Sequence, residues 1–360
     1  MSIFGAETAD APKFDEAARD YDALLVMSFG GPEGMDDVMP FLENVTRGRN
    51  IPRERLEEVA HHYEHFGGVS PITAQNRELI AALEAELSAH GIDLPVYFGN
   101  RNWHPFIADT INQMQADGIK RVLVFVTSAF SSYSGCRQYR EDIIRASEEV
   151  GDAPSFDKLR MFYNHPGFIG PNAENVQKAL AQFMPEERPS VRVAFTAHSV
   201  PMGMANGSAY VRQLEEACRL VAEQAGVAHY DLVYQSRSGA PHIPWLEPDI
   251  LDHMEALSAQ GVRNLVILPI GFISDHMEVL YDLDTEAVQK AEELGMKMAR
   301  AATVGTHPAF VAMIRELIVE RMAEHPARQA IGAYGPNHDI CPLDCCLKGD
   351  APQMRTGTRP

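Results

Sequence analysis

Three carboxylates recur at a strict spacing of four in "HMEVLYDLDTEA" (276–287): Glu278, Asp282 and Glu286. On a helix, positions i, i+4 and i+8 stack nearly above one another, so these acids form one ladder. Like charges at that spacing weaken a helix. The chemistry they offer is the passage of something positive, a proton or a metal ion. The plainer reading is a solvated acidic face, with Val279, Leu280 and Leu283 buried on the other side. His198 ends the strand-like "VRVAFTA" in "TAHSVP". An imidazole near a carboxylate takes a proton and has its cation stabilised, which is general-base chemistry. The plainer role for His198 is a hydrogen bond within its loop.

Thiols form a second concentration. "ICPLDCCLKGD" sets Cys341, Cys345 and Cys346 within six residues. Three thiols so close favour a metal over a disulfide when the compartment is reducing. An iron–sulfur cluster takes four Cys ligands, and so does structural zinc. The fourth is expected to be Cys136, in the loop "SSYSGCRQY" after a strand, because Cys218 lies on the apolar face of a helix and reads as core.

Short apolar runs must position these groups. "ALLVMSF", "LPVYFGN", "RVLVFVTSAF", "VRVAFTAHSV", "DLVYQS" and "NLVILPIGF" read as strands alternating with helical periods. Among the helices, "SPITAQNRELIAALEAELSAHG" has Ser70 to cap it, Pro71 at its first position and Gly91 at its end. "SAYVRQLEEACRLVAEQAG" puts Val211, Leu214, Cys218, Val221 and Ala225 on one face. Repeated β-then-α predicts an α/β fold of two doubly wound, Rossmann-like lobes with parallel sheets, plus a cysteine-bearing C-terminal tail. "GIKRVLVFVTSAFSS" and "GVRNLVILPIGFISD" share a pattern at an offset of 143 residues, which indicates internal duplication. The expected division is an N-terminal extension (1–20), a first lobe (21–186), a second lobe (187–325) and the tail (326–360). His198 and Glu278 fall at strand C-terminal ends, where open α/β sheets bind ligands.

Composition excludes several classes. The 360-residue chain carries 50 acidic against 31 basic side chains, a net charge of −19. That argues against a nucleic-acid footprint and against attraction to anionic lipid. The longest apolar run, "LVILPIGFI", falls far short of the ~20 residues that span a bilayer. The acidic N-terminus lacks a signal layout, and a cytoplasmic location without stable membrane insertion is expected.

"HHYEHFGGVSPI" (61–72), "TAHSVP" (196–201), "SGAPHIPWLEPDI" (238–250) and "LPIGFISDHMEVLYDLDTE" (268–286) resemble the ferrochelatases, as does "LLVMSFGGPEGMDDVMPFLENV". The similarity runs from about residue 21 to 325. It implies an enzyme that inserts ferrous iron into a porphyrin, with His198 and Glu278 as the catalytic pair facing the macrocycle. Asp282 and Glu286 are implied to be a proton or metal path. Metallation releases two pyrrole protons, so a base must stand beside the ring. Imidazole with carboxylates also suits transient ferrous binding.

By the same resemblance Ser70 and Tyr139 match positions that hold propionates in coproporphyrin-type enzymes of Gram-positive bacteria. Arg47 or Arg49 in "TRGRN" is a further candidate, by the need for a guanidinium–carboxylate fork; otherwise "TRGRN" is a solvated loop. The tyrosine with which Gram-positive members can ligate the product iron is replaced by Phe29, which cannot coordinate. A subset of the family carries a [2Fe–2S] cluster on one internal and three C-terminal cysteines, and Cys136, Cys341, Cys345 and Cys346 are similar in arrangement. The tail spacing differs from the animal pattern, and zinc stays the alternative. Coproporphyrin III is the expected substrate and protoporphyrin IX the runner-up. A cobalt or nickel chelatase, or a non-catalytic haem or iron–sulfur sensor on the same scaffold, fits the retained His198 and Glu278 less well. Transient contact with neighbouring haem-pathway enzymes is expected.

Overall fold

The computed structural model describes residues 13–48, 51–239 and 242–349. Two four-stranded parallel sheets carry the fold. The first contains β1 (Ala23–Ser28), β2 (Val96–Asn100), β3 (Arg121–Val126) and β4 (Ser155–Lys158), in the order β2-β1-β3-β4. The second contains β5 (Arg192–His198), β6 (Tyr230–Gln235), β7 (Asn264–Leu268) and β8 (Lys297–Arg300), in the order β6-β5-β7-β8. The two orders are the same pattern, and β3 and β7 are the duplicated segments. Every residue of β1 is buried, as a central strand covered on both faces requires.

The sequence reading expects six strands. The missing two, β4 ("SFDK") and β8 ("KMAR"), are four-residue edge strands carrying charge. Short, charged edges block sheet-to-sheet aggregation, and they erase the apolar signal that betrays a strand.

Around the sheets lie α1 (Met35–Val45), α2 (Arg53–Glu64), α3 (Ile72–Ala89), α4 (Ile107–Ala116), α5 (Gln138–Val150) and α6 (Pro166–Leu180) in the first stretch of chain. The second stretch adds α7 (Met202–Asn206), α8 (Tyr210–Ala225), α9 (Ile250–Ala259), α10 (Met277–Tyr281), α11 (Ala287–Glu293) and α12 (Pro308–Met322). In α8, Leu214, Cys218 and Val221 are buried as the periodicity predicts, and Gly226 ends the helix at φ 73°. The halves exchange helices: α6 packs on β7, β8 and α8, while α12 packs on α3. One apolar core consequently runs through both, from Leu24 and Phe125 to Phe195 and Leu268.

Two local expectations need correction. No side chain caps α3: it starts at Ile72, one residue after Pro71, and Ser70 is buried instead against Gly31. A Cβ on Gly31 would lie 2.6 Å from that of Ser70, so only glycine fits there. The acidic ladder is not one straight helix either. Between α10 and α11 the chain makes a π-helical turn over Asp282–Glu286, an insertion that recurs at functional sites because it re-aims side chains.

Candidate active site

His198 is the last residue of β5, and its loop is held from three sides. The Ser199 N–H donates to the Gln235 carbonyl (2.8 Å), the Ser199 hydroxyl to that of Leu246 (2.8 Å), and the Tyr210 hydroxyl to that of His198 itself (3.0 Å). The imidazole Nδ1 lies 2.5 Å from the Ser199 carbonyl. A carbonyl only accepts, so Nδ1 carries the proton and Nε2 of the neutral ring is the basic nitrogen. Nε2 stands 3.6 Å from Glu278 Oε2.

Glu278 sits in the first turn of α10. His276 caps that helix, its Nδ1 accepting from the Val279 N–H at 3.4 Å, which leaves its proton on Nε2, 3.9 Å from the same Glu278 oxygen. Burial holds the His276 pKa below its ordinary value; Glu278 opposes this and His198 reinforces it. The Glu278 side chain is 46% exposed and that of His198 32%, so both face open space. Two lone pairs, one on nitrogen and one on a carboxylate oxygen, confront each other there. Only a proton or a cation between them makes the arrangement favourable.

Asp282 lies behind the pair. It accepts hydrogen bonds from the Ser236 hydroxyl and from Gln235 Nε2 (3.2 Å). Burial, then the charges of Glu278 and Glu286, push its pKa up to about 7 against the pull of those two donors. Ser236 reaches it from a left-handed conformation, φ 61°, which costs a non-glycine residue about 1–3 kcal/mol and persists where the surroundings enforce it. Glu286 is also raised, by burial and then by Asp249. Asp284 turns away to Arg300 (2.5 Å). Asp282 and Glu286 are thus both raised above their ordinary values.

The first half supplies the opposite wall. His62 of α2 stacks on Tyr281 at 3.8 Å, the rings 8° apart. Met277 enters an aromatic cluster with Phe41, Tyr63 and Trp103, and half-buried Phe29 lies edge-on to Phe41 at 6.2 Å. Gln75 of α3 donates to the Asp275 carbonyl (3.0 Å) and accepts from its N–H (2.8 Å). Arg300 grips the Asp275 carboxylate at 3.1 and 3.3 Å.

The structure brings together His198, Glu278 and Asp282, with Glu286 following. The expected propionate contacts are more scattered. Arg47 is exposed, with Nη2 donating to Asn44 Oδ1 at 2.5 Å, and Arg49 lies outside the described residues. Ser70 is buried, and Tyr139 is buried beneath the Arg101 guanidinium, 4.7 Å above its ring. Sequence reasoning missed His276, Gln235, Ser236, Gln75 and Arg300. Of these, only His276 had a local signal, as a cap two residues before Glu278 in "DHME".

The four thiols converge. Cys136, carried on a π-helical turn at Tyr133–Arg137, is within hydrogen-bond reach of Cys341 and Cys346. Cys345 reaches Cys341, and its sulfur lies 3.4 Å from that of Cys346. The Cys341 pKa is pulled down, chiefly because Cys136 and Cys345 donate to it. Lys158 approaches all four, while Arg137 clamps the carbonyls of Leu343 (2.7 Å) and Cys345 (3.0 Å). This donor set fits a four-thiolate metal group beside a compensating cation. His338, not foreseen, stands 4.0 Å from the Cys345 sulfur and with Cys341 and Cys345 forms a group of metal-ligating atoms within 4.8 Å of one another. Cys218 stays in the core of α8.

Paired parallel sheets meeting at an imidazole–carboxylate site, with the carboxyl of Asp282 buried behind it, define a chelatase-type protein. The sequence profile named Ferrochelatase matches residues 21–322. A ferrochelatase of Rhodopirellula baltica is 60% identical, the match covering 94% of this chain and 97% of that one. A coproporphyrin III ferrochelatase of Streptomyces coelicolor is 54% identical over 91% and 94%. In fold, SirB from Bacillus subtilis, solved with Fe3+, superposes with a TM-score of 0.50 at 15% identity, covering 82% of this chain and 94% of that one. The chain belongs to the ferrochelatase family, and it is an enzyme that inserts metal into a porphyrin. Among the described residues no helix is long and apolar enough to cross a membrane.

Proposed function

We propose that this protein inserts ferrous iron into coproporphyrin III, releasing two protons per turnover. The basic Nε2 of His198 facing Glu278 across 3.6 Å carries the reading. His198 takes a pyrrole proton, Glu278 stabilises the imidazolium, and Asp282 and then Glu286 relay protons outward through pKa values raised for that exchange. Coproporphyrin III is favoured by the names of the relatives that are 54% identical and below. Exposed Arg47 is the candidate guanidinium for a propionate, on releasing Asn44. Ser70 and Tyr139, both buried, present hydroxyls only after the Gly31 loop or Arg101 moves. Phe29 serves as an apolar wall without an iron ligand.

Cys136, Cys341, Cys345 and Cys346 hold a [2Fe–2S] cluster in this reading, with zinc as the alternative metal. The cluster supplies a redox-sensitive link between the tail and α5, apart from the base. Free thiols accord with a cytoplasmic location, and the open cleft with hand-over of product to the next enzyme by transient contact.

An anaerobic assay tests the proposal. Protein and ferrous iron are mixed with coproporphyrin III or protoporphyrin IX while the free-base Q bands are followed. Fast conversion of coproporphyrin alone is expected. Equal or faster conversion of protoporphyrin reassigns the substrate, and binding of both without metallation overturns the enzymatic reading.

A further inference from the structure

The thiol site holds one donor more than a metal group takes. Cys136, Cys341, Cys345 and Cys346 make four, the full complement of a [2Fe–2S] cluster or a zinc ion. His338 makes a fifth. Its Nε2 stands 4.0 Å from the Cys345 sulfur, and His338, Cys341 and Cys345 bring ligand atoms within 4.8 Å of one another. Two ligands that share one tetrahedral ion stand about 3.5–3.8 Å apart, so the imidazole lies close to ligand spacing. A hydrogen bond to sulfur at 4.0 Å is weak and does not account for the ring being there.

The ring's place does not depend on a metal. The residues on either side tie the strap down. Asn337 Nδ2 donates to Ser131 Oγ at 3.5 Å; Asp339 donates its N–H to the Lys13 carbonyl (3.0 Å), and its carboxylate takes Arg328 at 2.8 Å. Cys346 reaches the group from a left-handed backbone, φ 55°, which a non-glycine residue keeps only where the surroundings enforce it. The fold thus recruits a fourth thiol under strain although an imidazole already stands beside Cys341 and Cys345. His338 is surplus to the resting set. The corner it adjoins is also the vulnerable one: Cys136, Cys341 and Cys346 are buried, whereas Cys345 is half-buried. An accessible thiol is the one that oxidants and alkylating agents reach first.

We propose that His338 is the reserve ligand of this site, taking over the metal corner of Cys345 when that thiol is lost. The inference rests on the reading of the four thiols as a metal site and adds a donor of another kind. In the exchange one metal–sulfur bond breaks and one metal–nitrogen bond forms. The sulfur leaves with its electron pair and takes a proton from solvent, the imidazole Nε2 supplies the pair for the new bond, and no oxidation state changes. Both metals accept the mixed set. Imidazole stands in for thiolate on one iron of some [2Fe–2S] centres and raises their potential, and zinc is held by three thiolates and one imidazole.

Metal and sulfide analysis of anaerobically purified protein tests this, together with the identity of the ligand atoms. For a cluster these are read from nitrogen hyperfine coupling in the electron paramagnetic resonance of the reduced form, and for zinc from X-ray absorption. The wild type should show sulfur ligation alone. Cys345→Ala should keep most of its metal, with one nitrogen in place of one sulfur and, for a cluster, a higher midpoint potential. Cys345→Ala combined with His338→Ala should lose the metal. Loss of metal from Cys345→Ala alone, metal retained there without nitrogen, or nitrogen already present in the wild type overturns the proposal. A wild type without metal overturns the thiol-site reading itself, and the proposal falls with it. If Cys345→Ala does not fold, His338→Ala decides: it should keep the wild-type spectrum yet lose metal to a chelator at least about tenfold faster, and an unchanged rate overturns the proposal.

Discussion

Gln75 and Asp275 join the two halves of the molecule through a reciprocal pair of hydrogen bonds, 3.0 and 2.8 Å, between the side-chain amide of one and the backbone of the other. The clasp lies three residues before Glu278 and fixes the entrance to α10 from α3. Arg300 holds the same residue by its carboxylate, so the loop is gripped from both halves.

Gln75→Ala is expected to lower kcat about tenfold to a hundredfold, because small displacements of a reacting group are costly. Stability should fall by only about 1–2 kcal/mol, the range for lost hydrogen bonds of this kind. Gln75→Glu keeps the acceptor for the Asp275 N–H but loses the donor, and should fall between wild type and Gln75→Ala. Steady-state metallation rates beside thermal melts decide it. Unchanged kcat in Gln75→Ala would show that Arg300 alone positions the loop.

His198→Ala and Glu278→Gln should each reduce metallation about 10²- to 10⁴-fold, the usual contribution of a positioned base. Porphyrin affinity, followed by quenching of porphyrin fluorescence, should stay nearly constant, since the proposed role of both side chains is on protons and metal. Normal turnover in both variants would relocate the base.

Asp282 makes activity and stability depend on pH in opposite senses. Its carboxyl has an ordinary value of 3.8 and is pushed up to about 7 in the fold, first by burial. A group raised on folding contributes stability that is full below about pH 4 and is lost as pH rises through 7. Asp282→Asn removes that loss, so its melting temperature should exceed that of the wild type at pH 8 and draw level toward pH 4. The relay, however, accepts protons only when Asp282 is ionised. Wild-type kcat should rise through pH 7, and Asp282→Asn should lack this limb. A variant with the wild-type pH profile would remove Asp282 from the proton path.

Much of the fold is local and therefore legible. The four central strands β1, β3, β5 and β7 announce themselves as apolar runs because both of their faces are covered, the edge strands β2 and β6 still carry short apolar runs, and α8 shows its buried stripe at helical spacing. The opposite edges, β4 and β8, carry no such signal, since each is only four residues long and charged. The site divides along the same line. Glu278, Asp282 and Glu286 are neighbours in sequence, so their spacing exposed them. Ser236 and Gln235 reach Asp282 from 46 and 47 residues away, and Gln75 reaches Asp275 from 200. Contacts of that kind exist only after the sheets align. The π-helical turn at Asp282–Glu286 was hidden too, because nothing in the composition of "DLDTE" separates a π-helical from an α-helical turn.

The thiol group gives a prediction that separates its members. Cys136 sits among the three tail cysteines, whereas Cys218 is buried in α8 with apolar neighbours. Cys136→Ser should abolish the visible absorption of an iron–sulfur cluster and reduce iron and acid-labile sulfide together, while Cys218→Ser should leave both unchanged. Metal analysis of the anaerobically purified wild type distinguishes the two metals: iron with equal sulfide supports the cluster, and zinc without sulfide supports a thiolate zinc site. Either metal would bridge the tail to the turn before α5, where Arg137 and Arg140 also bind tail carbonyls and Lys348 lies over the Tyr133 ring. Cys136→Ser should consequently speed proteolysis in the segment that follows Asp339 far more than it alters the melting of the two sheets. If the tail resists cleavage as well without the metal as with it, the arginine clamps suffice and the thiols serve the metal rather than the fold.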